Sequence, residues 1–234
     1  MNEILDVKTY ETLYLRYIQS KDFEELLSYL GPLQGMTFLD LCCGNGILTK
    51  YAFAKGINKA VMVDIVNGHL TKHAFAEVMD TAVVTHIGAF DHNAKNCFLN
   101  MNVRNALQYF LGIGRSFDRV GCRQAVNYWL DDETAKLLAS VMNPKSIFVF
   151  NTFNQKPSEK PRMMQYELEG HNFVEVSWLI KDMVHHIQIR DEYEPHHSVF
   201  RWIAPEEFRN ILTRYFEVEE FIREKTSFYQ CTKK

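Results

Sequence analysis

The stretch from Thr37 to Ile65 constrains the fold more than any other part of the chain. Thr37 to Leu41 is a short apolar strand that stops on "CCGNG". Leu48 to Ala54 has the spacing of a helix, and Lys59 to Ile65 is a second buried strand that carries an acid, Asp64, at its end. Strand, glycine turn, helix and strand make a βαβ unit, which is parallel with a right-handed crossover.

The alternation continues. The spacing predicts a helix near His69 to Met79, strand candidates at Ala82 to Ile87 and Cys97 to Met101, and a strand over Phe117 to Cys122. A helix over Glu133 to Met142 and a strongly apolar strand over Ser146 to Phe153 follow. Ahead of the unit, residues 3–30 carry apolar positions at helical spacing and end at Gly31-Pro32, which predicts one or two helices. The expected class is α/β, a doubly wound Rossmann-like sheet with helices on both faces. After Pro157 apolar and polar residues alternate, with turn signals at Glu169-Gly170 and Lys181-Asp182, so an antiparallel meander is inserted into the α/β body. A helix opened by Pro205 and two strands, Glu217 to Arg223 and Thr226 to Thr232, close the chain. The 234 residues read as one domain. It has a helical cap over 1–35, a cofactor-binding core over 36–157, a substrate-cap insertion over 158–203, and the last helix and hairpin over 204–234.

Charge and cysteines narrow the chemistry. A net charge of −3 with no run of lysines and arginines gives phosphate-tracking nucleic-acid binding no support, and a small-molecule substrate is favoured. No stretch reaches the apolar length of a bilayer span and no secretory leader is visible, so no membrane partner and a cytoplasmic location are expected. Cys42, Cys43, Cys97, Cys122 and Cys231 form no C-x-x-C pair, and His196 and His197 lack a third ligand. No metal is assigned.

In an open parallel sheet a ligand sits beyond the carboxyl ends of the strands, where strand order reverses. Gly44 and Gly46 let backbone approach such a ligand without Cβ interference, and Asp64 is placed like an acid that accepts the hydroxyls of a ribose. The phosphate fingerprint of NAD enzymes is poorly met, because its third glycine falls at Thr49 and Cys42 stands at the first.

These residues resemble class I S-adenosylmethionine-dependent methyltransferases of the small-molecule type, over nearly the whole chain. "FLDLCCGNG" is similar to their first motif, D-x-G-x-G-x-G, with Cys42 at the first glycine. "VMVDI" is similar to the second motif, "SFDRVGCRQAVNYW" to the fourth-strand segment, and "MNPKSIFVFNTF" to the turn into strand five, with Pro144-Lys145-Ser146 replacing proline and glycines. The resemblance implies a seven-stranded sheet with a reversed C-terminal hairpin and S-adenosyl-L-methionine as cofactor. It places Asp40 and Gly44 near the methionine portion, Asp64 on the ribose, and Asn102-Val103 or Asp91 at the adenine, with Cys42, Gly46, Ile65 and Cys122 as further cofactor-binding candidates. Asn102 is preferred, since the segment to Phe117 then has a family-like length. Tyr10 and Tyr14, on one side of the N-terminal helix, are placed to close over the cofactor or to pack.

The meander resembles the cap of small-molecule methyltransferases, among them amino-sugar N,N-dimethyltransferases. In "MVHHIQIR" the period of two puts Met183, His185, Ile187 and Ile189 on one face and Val184, His186, Gln188 and Arg190 on the other. His185 is thereby expected on the buried face, either as a core residue or as a general base. Gln124, Asn127 and Tyr128 follow the fourth strand at the crevice edge, where they would orient a substrate amine or hydroxyl, with Tyr128 also a catalytic candidate. Arg123 beside them serves through charge or as a surface ion pair. Trp178 and Tyr193 are expected to shape the acceptor pocket. The expected activity is methyl transfer to nitrogen or oxygen of a small molecule, nitrogen preferred because a neutral amine needs little activation. The alternatives are an NAD-type oxidoreductase and a cofactor-binding module without turnover. Methylation of nucleic-acid amino groups is disfavoured, because no N/D-P-P-Y tetrapeptide is present.

Overall fold

The computed structural model describes residues 22–65, 82–84, 95–168, 170–191 and 194–234. The helix expected near His69 to Met79, and Tyr10, Tyr14, Asp91 and Tyr193, lie outside the described residues. The strands of the α/β body are β1 (Thr37–Leu41), β2 (Lys59–Asp64), β3 (Ala82–Val84), β4 (Asn96–Asn100), β5 (Phe117–Arg123) and β6 (Met142–Phe153), with β11 (Phe216–Arg223) and β12 (Thr226–Lys233) at the end of the chain. They form one sheet in the order β11-β12-β6-β5-β1-β2-β4-β3. β1 to β6 pair in parallel, while β12 runs antiparallel to both β6 and β11. The expected seven strands and reversed hairpin are therefore present. Both candidates for the third strand are strands, β4 beside β2 and the short β3 as an eighth strand at the edge.

Period-two alternation divides the sheet between two layers of helix. Leu39 and Leu41 of β1 join the core beneath α3 (Val103–Gly112), α4 (Asp132–Ser140) and α5 (Pro205–Leu212). Phe38, immediately before Leu39 and on the opposite face, joins a second core with Leu26 and Leu27 of α1 (Asp22–Ser28) and Leu48 and Ala52 of α2 (Ile47–Ala54). Each fully buried Leu or Phe in these layers contributes about 1.5–3 kcal/mol. Gly121 of β5 sets the approach of α2, because a Cβ there would lie 2.7 Å from the Leu48 side chain and 2.9 Å from the Phe38 ring. A capping box starts α4: Asp131 accepts from the Thr134 amide at 2.8 Å and Thr134 accepts from the Asp131 amide at 2.9 Å.

Boundaries differ from expectation where local geometry overrides pattern. The helix expected to reach Met142 ends at Ser140, and β6 starts at Met142 instead of Ser146. Lys145 takes a left-handed φ of 63°, so the Pro144-Lys145-Ser146 segment is a bulge inside the strand, and the register to β5 shifts between Phe117 and Arg119. The helix α3 was not anticipated, although Val103, Ala106, Leu107 and Phe110 have its spacing and all are buried.

Between β6 and α5 the chain forms a second, four-stranded antiparallel sheet of β7 (Arg162–Leu168), β8 (His171–Ile180), β9 (Met183–Arg190) and β10 (His196–Arg201), in the order β10-β9-β8-β7. Its β10 lies beside the short 3-10 turn Val126–Tyr128 that follows β5. Among the described residues no helix is long and apolar enough to cross a membrane.

Candidate active site

The order of the body sheet reverses at β1, whose neighbours are β2 on one side and β5 on the other. Beyond the carboxyl ends of these strands lies a cavity of about 660 Å³, with the body as its floor and the four-stranded sheet as its roof. This is the crevice in which open α/β sheets take ligands.

The floor is built by the glycine turn. Cys42, Gly44 and Gly46 all have left-handed φ values, 55°, 53° and 74°, and only the first carries a side chain. Gly46 caps α2 without a side chain, so Asn45 and Asp40 serve its first turn. Asn45 accepts from the Ile47 amide at 3.3 Å, and Asp40 Oδ2 accepts from the Thr49 amide at 3.2 Å and hydroxyl at 2.7 Å. Burial pushes the Asp40 carboxyl up to about 7, and the neighbouring Asp64 charge adds to this against the two Thr49 bonds. The Gly44 amide donates to Asp64 Oδ2 at 2.7 Å, which ties the turn to the end of β2. The Asp64 carbonyl in turn accepts from the Met101 amide at 3.0 Å and from Asn100 Nδ2 at 3.2 Å. Asn102 then caps α3, accepting from the Asn105 amide at 2.9 Å.

Of the residues expected at the cofactor, Asp40, Cys42, Asp64, Ile65, Asn102 and Val103 line the cavity, joined by Met101. Ile65 is 49% exposed on it, an apolar face open at the rim. Gly44 and Gly46 shape the turn beneath. Cys122 is not a lining residue: it is fully buried in the core, and its link to the site is a hydrogen bond with Cys42, which with burial raises the Cys42 thiol well above its ordinary range.

Beyond the end of β5, Gln124, Asn127 and Tyr128 line the cavity. Their positions depend on Asp22, a residue the sequence did not single out. Its carboxylate accepts from Arg123 Nε at 2.8 Å, Gln124 Nε2 at 2.7 Å and Asn151 Nδ2 at 2.8 Å, so α1 is fastened to the ends of β5 and β6. Arg123 is thus half of a partly buried ion pair. Gln124 is held in a left-handed conformation, φ 56°, with its amide on Asn151 Oδ1 at 3.0 Å. Asn127 accepts from Thr152 at 3.4 Å. Tyr128 reaches the roof, its ring 5.2 Å from that of Phe200 and its phenol hydrogen-bonded with Ser198. Burial beneath the roof raises that phenol and the Ser198 bond partly offsets it, although the ring keeps 46% exposure toward the open cavity.

The roof corrects two expectations. The period of two in β9 is as read, but the face turned to the cavity is the other one. Val184 and His186 line it, with Arg162 and Met164 of β7, Glu175 and Ser177 of β8, and His196, Ser198 and Phe200 of β10. His185 and Trp178 pair across the register on the opposite face. There Trp178 stacks on His185 at 5.1 Å between ring centroids, and His185 Nδ1 lies 3.2 Å from His197 Nε2. The assumption that the more apolar face points inward fails because this sheet faces a ligand-sized cavity, not packed protein.

A methyltransferase-domain family model matches residues 14–215 of the chain. No curated protein matches it. Among solved structures, the chain is similar to CalS10, the amino pentose methyltransferase from Micromonospora echinaspora involved in calicheamicin biosynthesis. The two share 13% identity over all of both chains, with a TM-score of 0.68. It is also similar to the sugar N-methyltransferase KedS8 from a Streptoalloteichus species, at 14% identity over 100% of this chain and 94% of that one, TM-score 0.65. DesVI of Streptomyces venezuelae gives 14% identity over 98% and 99%, TM-score 0.64. These likenesses carry the fold, and the family match spans most of the residues that build the cavity: the chain belongs to the methyltransferase-domain family.

Proposed function

We propose that the protein transfers a methyl group from S-adenosyl-L-methionine to a small-molecule acceptor, with nitrogen as the preferred target. The observation that carries this reading is the pair of buried acids, Asp40 and Asp64, joined to the glycine turn on the floor of a roofed cavity. The residues present fit the cofactor. Asp64 offers a carboxylate to ribose hydroxyls, Ile65 and Val103 offer apolar surface to a purine, and Asn102 offers its side-chain amide to the ring edge. Asp40 places a titratable carboxyl where an ammonium or sulfonium would sit. The bound cofactor supplies an electrophilic methyl group: the acceptor lone pair forms the new bond to carbon as the carbon–sulfur bond breaks and its electron pair stays on sulfur.

The chain's own contribution to the displacement itself is alignment and exclusion of water. Tyr128 and Asn127 line the cavity between floor and roof, and in this reading they orient the acceptor amine. The sugar and amino-pentose substrates named for the neighbours agree with a small polar acceptor under the roof. Calorimetric titration with S-adenosylmethionine, followed by a labelled-methyl screen of amines and phenols, tests the reading. Absence of binding, or binding without incorporation into any acceptor, would refute it.

A further inference from the structure

On the cavity face of the roof, cross-strand register sets Ser198, His186, Ser177 and Arg162 in one row. The adjoining row holds His196, Gln188, Glu175 and Met164. His186 and Glu175 meet on the diagonal, with Nε2 and Oε2 3.5 Å apart. Glu175 is 7% exposed, and its other oxygen accepts from the Tyr166 hydroxyl at 2.5 Å. A carboxylate this buried, fixed from behind by a phenol and set against a histidine that lines a cavity, is the arrangement that orients an imidazole for proton transfer. The row also joins the floor, since Ser198 bonds with Tyr128.

We propose that His186, oriented by Glu175, is the proton acceptor for the acceptor's amine. With Nε2, 3.5 Å from Glu175 Oε2, carrying the proton, Nδ1 carries the lone pair. An amine enters at neutral pH largely as an ammonium ion, which has no lone pair to react. Nδ1 takes one proton from it, leaving a neutral amine and an imidazolium that Glu175 stabilises, and the imidazolium later returns the proton to solvent. The charged and titratable groups that line the cavity with His186 include Glu175 from β8, Arg162 from β7, His196 from β10 and Tyr128 from the floor. This inference rests on the methyl-transfer reading for its reaction but not for its geometry.

The test begins with the imidazole. In protein labelled with ¹⁵N-histidine, the signals lost in His186→Asn identify the ring. The expected spectrum at pH 8 is the Nε2–H tautomer with a bare Nδ1, and Glu175→Gln should weaken that preference. A bare Nε2, or a ring that stays protonated through pH 9, would overturn the proposal whatever the enzyme turns over. For an amine found by labelled-methyl screening, His186→Asn should lower kcat about a hundredfold and remove the fall in rate at low pH, with S-adenosylmethionine affinity kept. His186→Gln provides the same comparison if the first variant does not fold. Wild-type turnover in a folded variant would refute the base role. Failure of the wild type to bind S-adenosylmethionine would refute the methyl-transfer reading instead, and the imidazole spectrum would still judge the dyad.

Discussion

Asp22 fastens the cavity wall at the ends of β5 and β6, and its removal gives a quantitative test. Its carboxylate takes hydrogen bonds from Arg123, Gln124 and Asn151, all between 2.7 and 2.8 Å. The Asp22 and Arg123 side chains are only 15% and 13% exposed. Asp22→Ala leaves a guanidinium and two amides facing the gap. Breaking a buried pair from one side costs about 3–5 kcal/mol, and the partial exposure brings the expectation to about 2–4 kcal/mol. Gln124 should lose more than stability, because its left-handed backbone is held by the Asn151 and Asp22 bonds, and a non-glycine residue released from such constraints relaxes. Tyr128 is only a few residues further along, so the acceptor KM should rise more than the cofactor Kd. Urea unfolding followed by tryptophan fluorescence measures the first effect, and acceptor kinetics the second. The variant pair Asp22→Ala with Arg123→Met should be milder than the sum of its members, as removal of both charges leaves no orphan. A loss below about 0.5 kcal/mol with unchanged KM would show that the clamp is incidental.

Other expectations follow from the same geometry. Burial raises Asp40 to about 7, so its contribution to stability is complete below the unfolded carboxyl pKa near 4 and is lost as pH rises through 7. The stability difference between wild type and Asp40→Asn should therefore shrink by about 1.4 kcal/mol per pH unit from pH 5 to 7 and level off above; a flat difference in urea unfolding would contradict it. Asp64→Ala should weaken S-adenosylmethionine binding at least about tenfold by calorimetry, because charge-assisted hydrogen bonds contribute about 1.5–3 kcal/mol each. Gly121→Ala should cost about 1–3 kcal/mol in urea unfolding through overlap with Leu48 and Phe38, and a neutral result would mean that α2 can shift. His185→Ala should lower the melting temperature by loosening the stack with Trp178 and His197, while acceptor kinetics stay near wild type.

Most elements whose neighbours are all protein were readable from pattern, α3 being missed although its spacing carries the signal. β1, β2 and β5 are buried on both faces and short, and their apolar runs announce them. The reversed hairpin and the antiparallel roof follow from alternation that no helix could satisfy. Misreadings fall where backbone geometry decides. Nothing in Pro144-Lys145-Ser146 distinguishes a bulge within a strand from a turn before one, because the difference lies in the sign of φ at Lys145. Asp22 was hidden for another reason: its partners are 101 to 129 residues away, and no local spacing marks such a contact.

The roof illustrates why a site resists the rules that reveal a core. Along β9 the apolar series Met183, Ile187 and Ile189 was the natural choice for the inward face, and His185 travelled with it. In a sheet that packs on protein, the inward face must be apolar because water is absent and polar groups there lack partners. In a sheet that roofs a cavity the constraint is reversed. The inward face meets ligand or water, so it can hold Arg162, Glu175, His186 and Ser198, while the far side carries His185, with Trp178 stacked on it and on His197. The floor departs from the ordinary pattern in the same sense. Asp40 and Asp64 are both nearly buried and raise each other's cost of ionisation, an arrangement that weakens an empty protein. A cation placed between floor and roof would relieve that repulsion, so the acids penalise the fold in the state where they have no ligand and favour binding of a positively charged one.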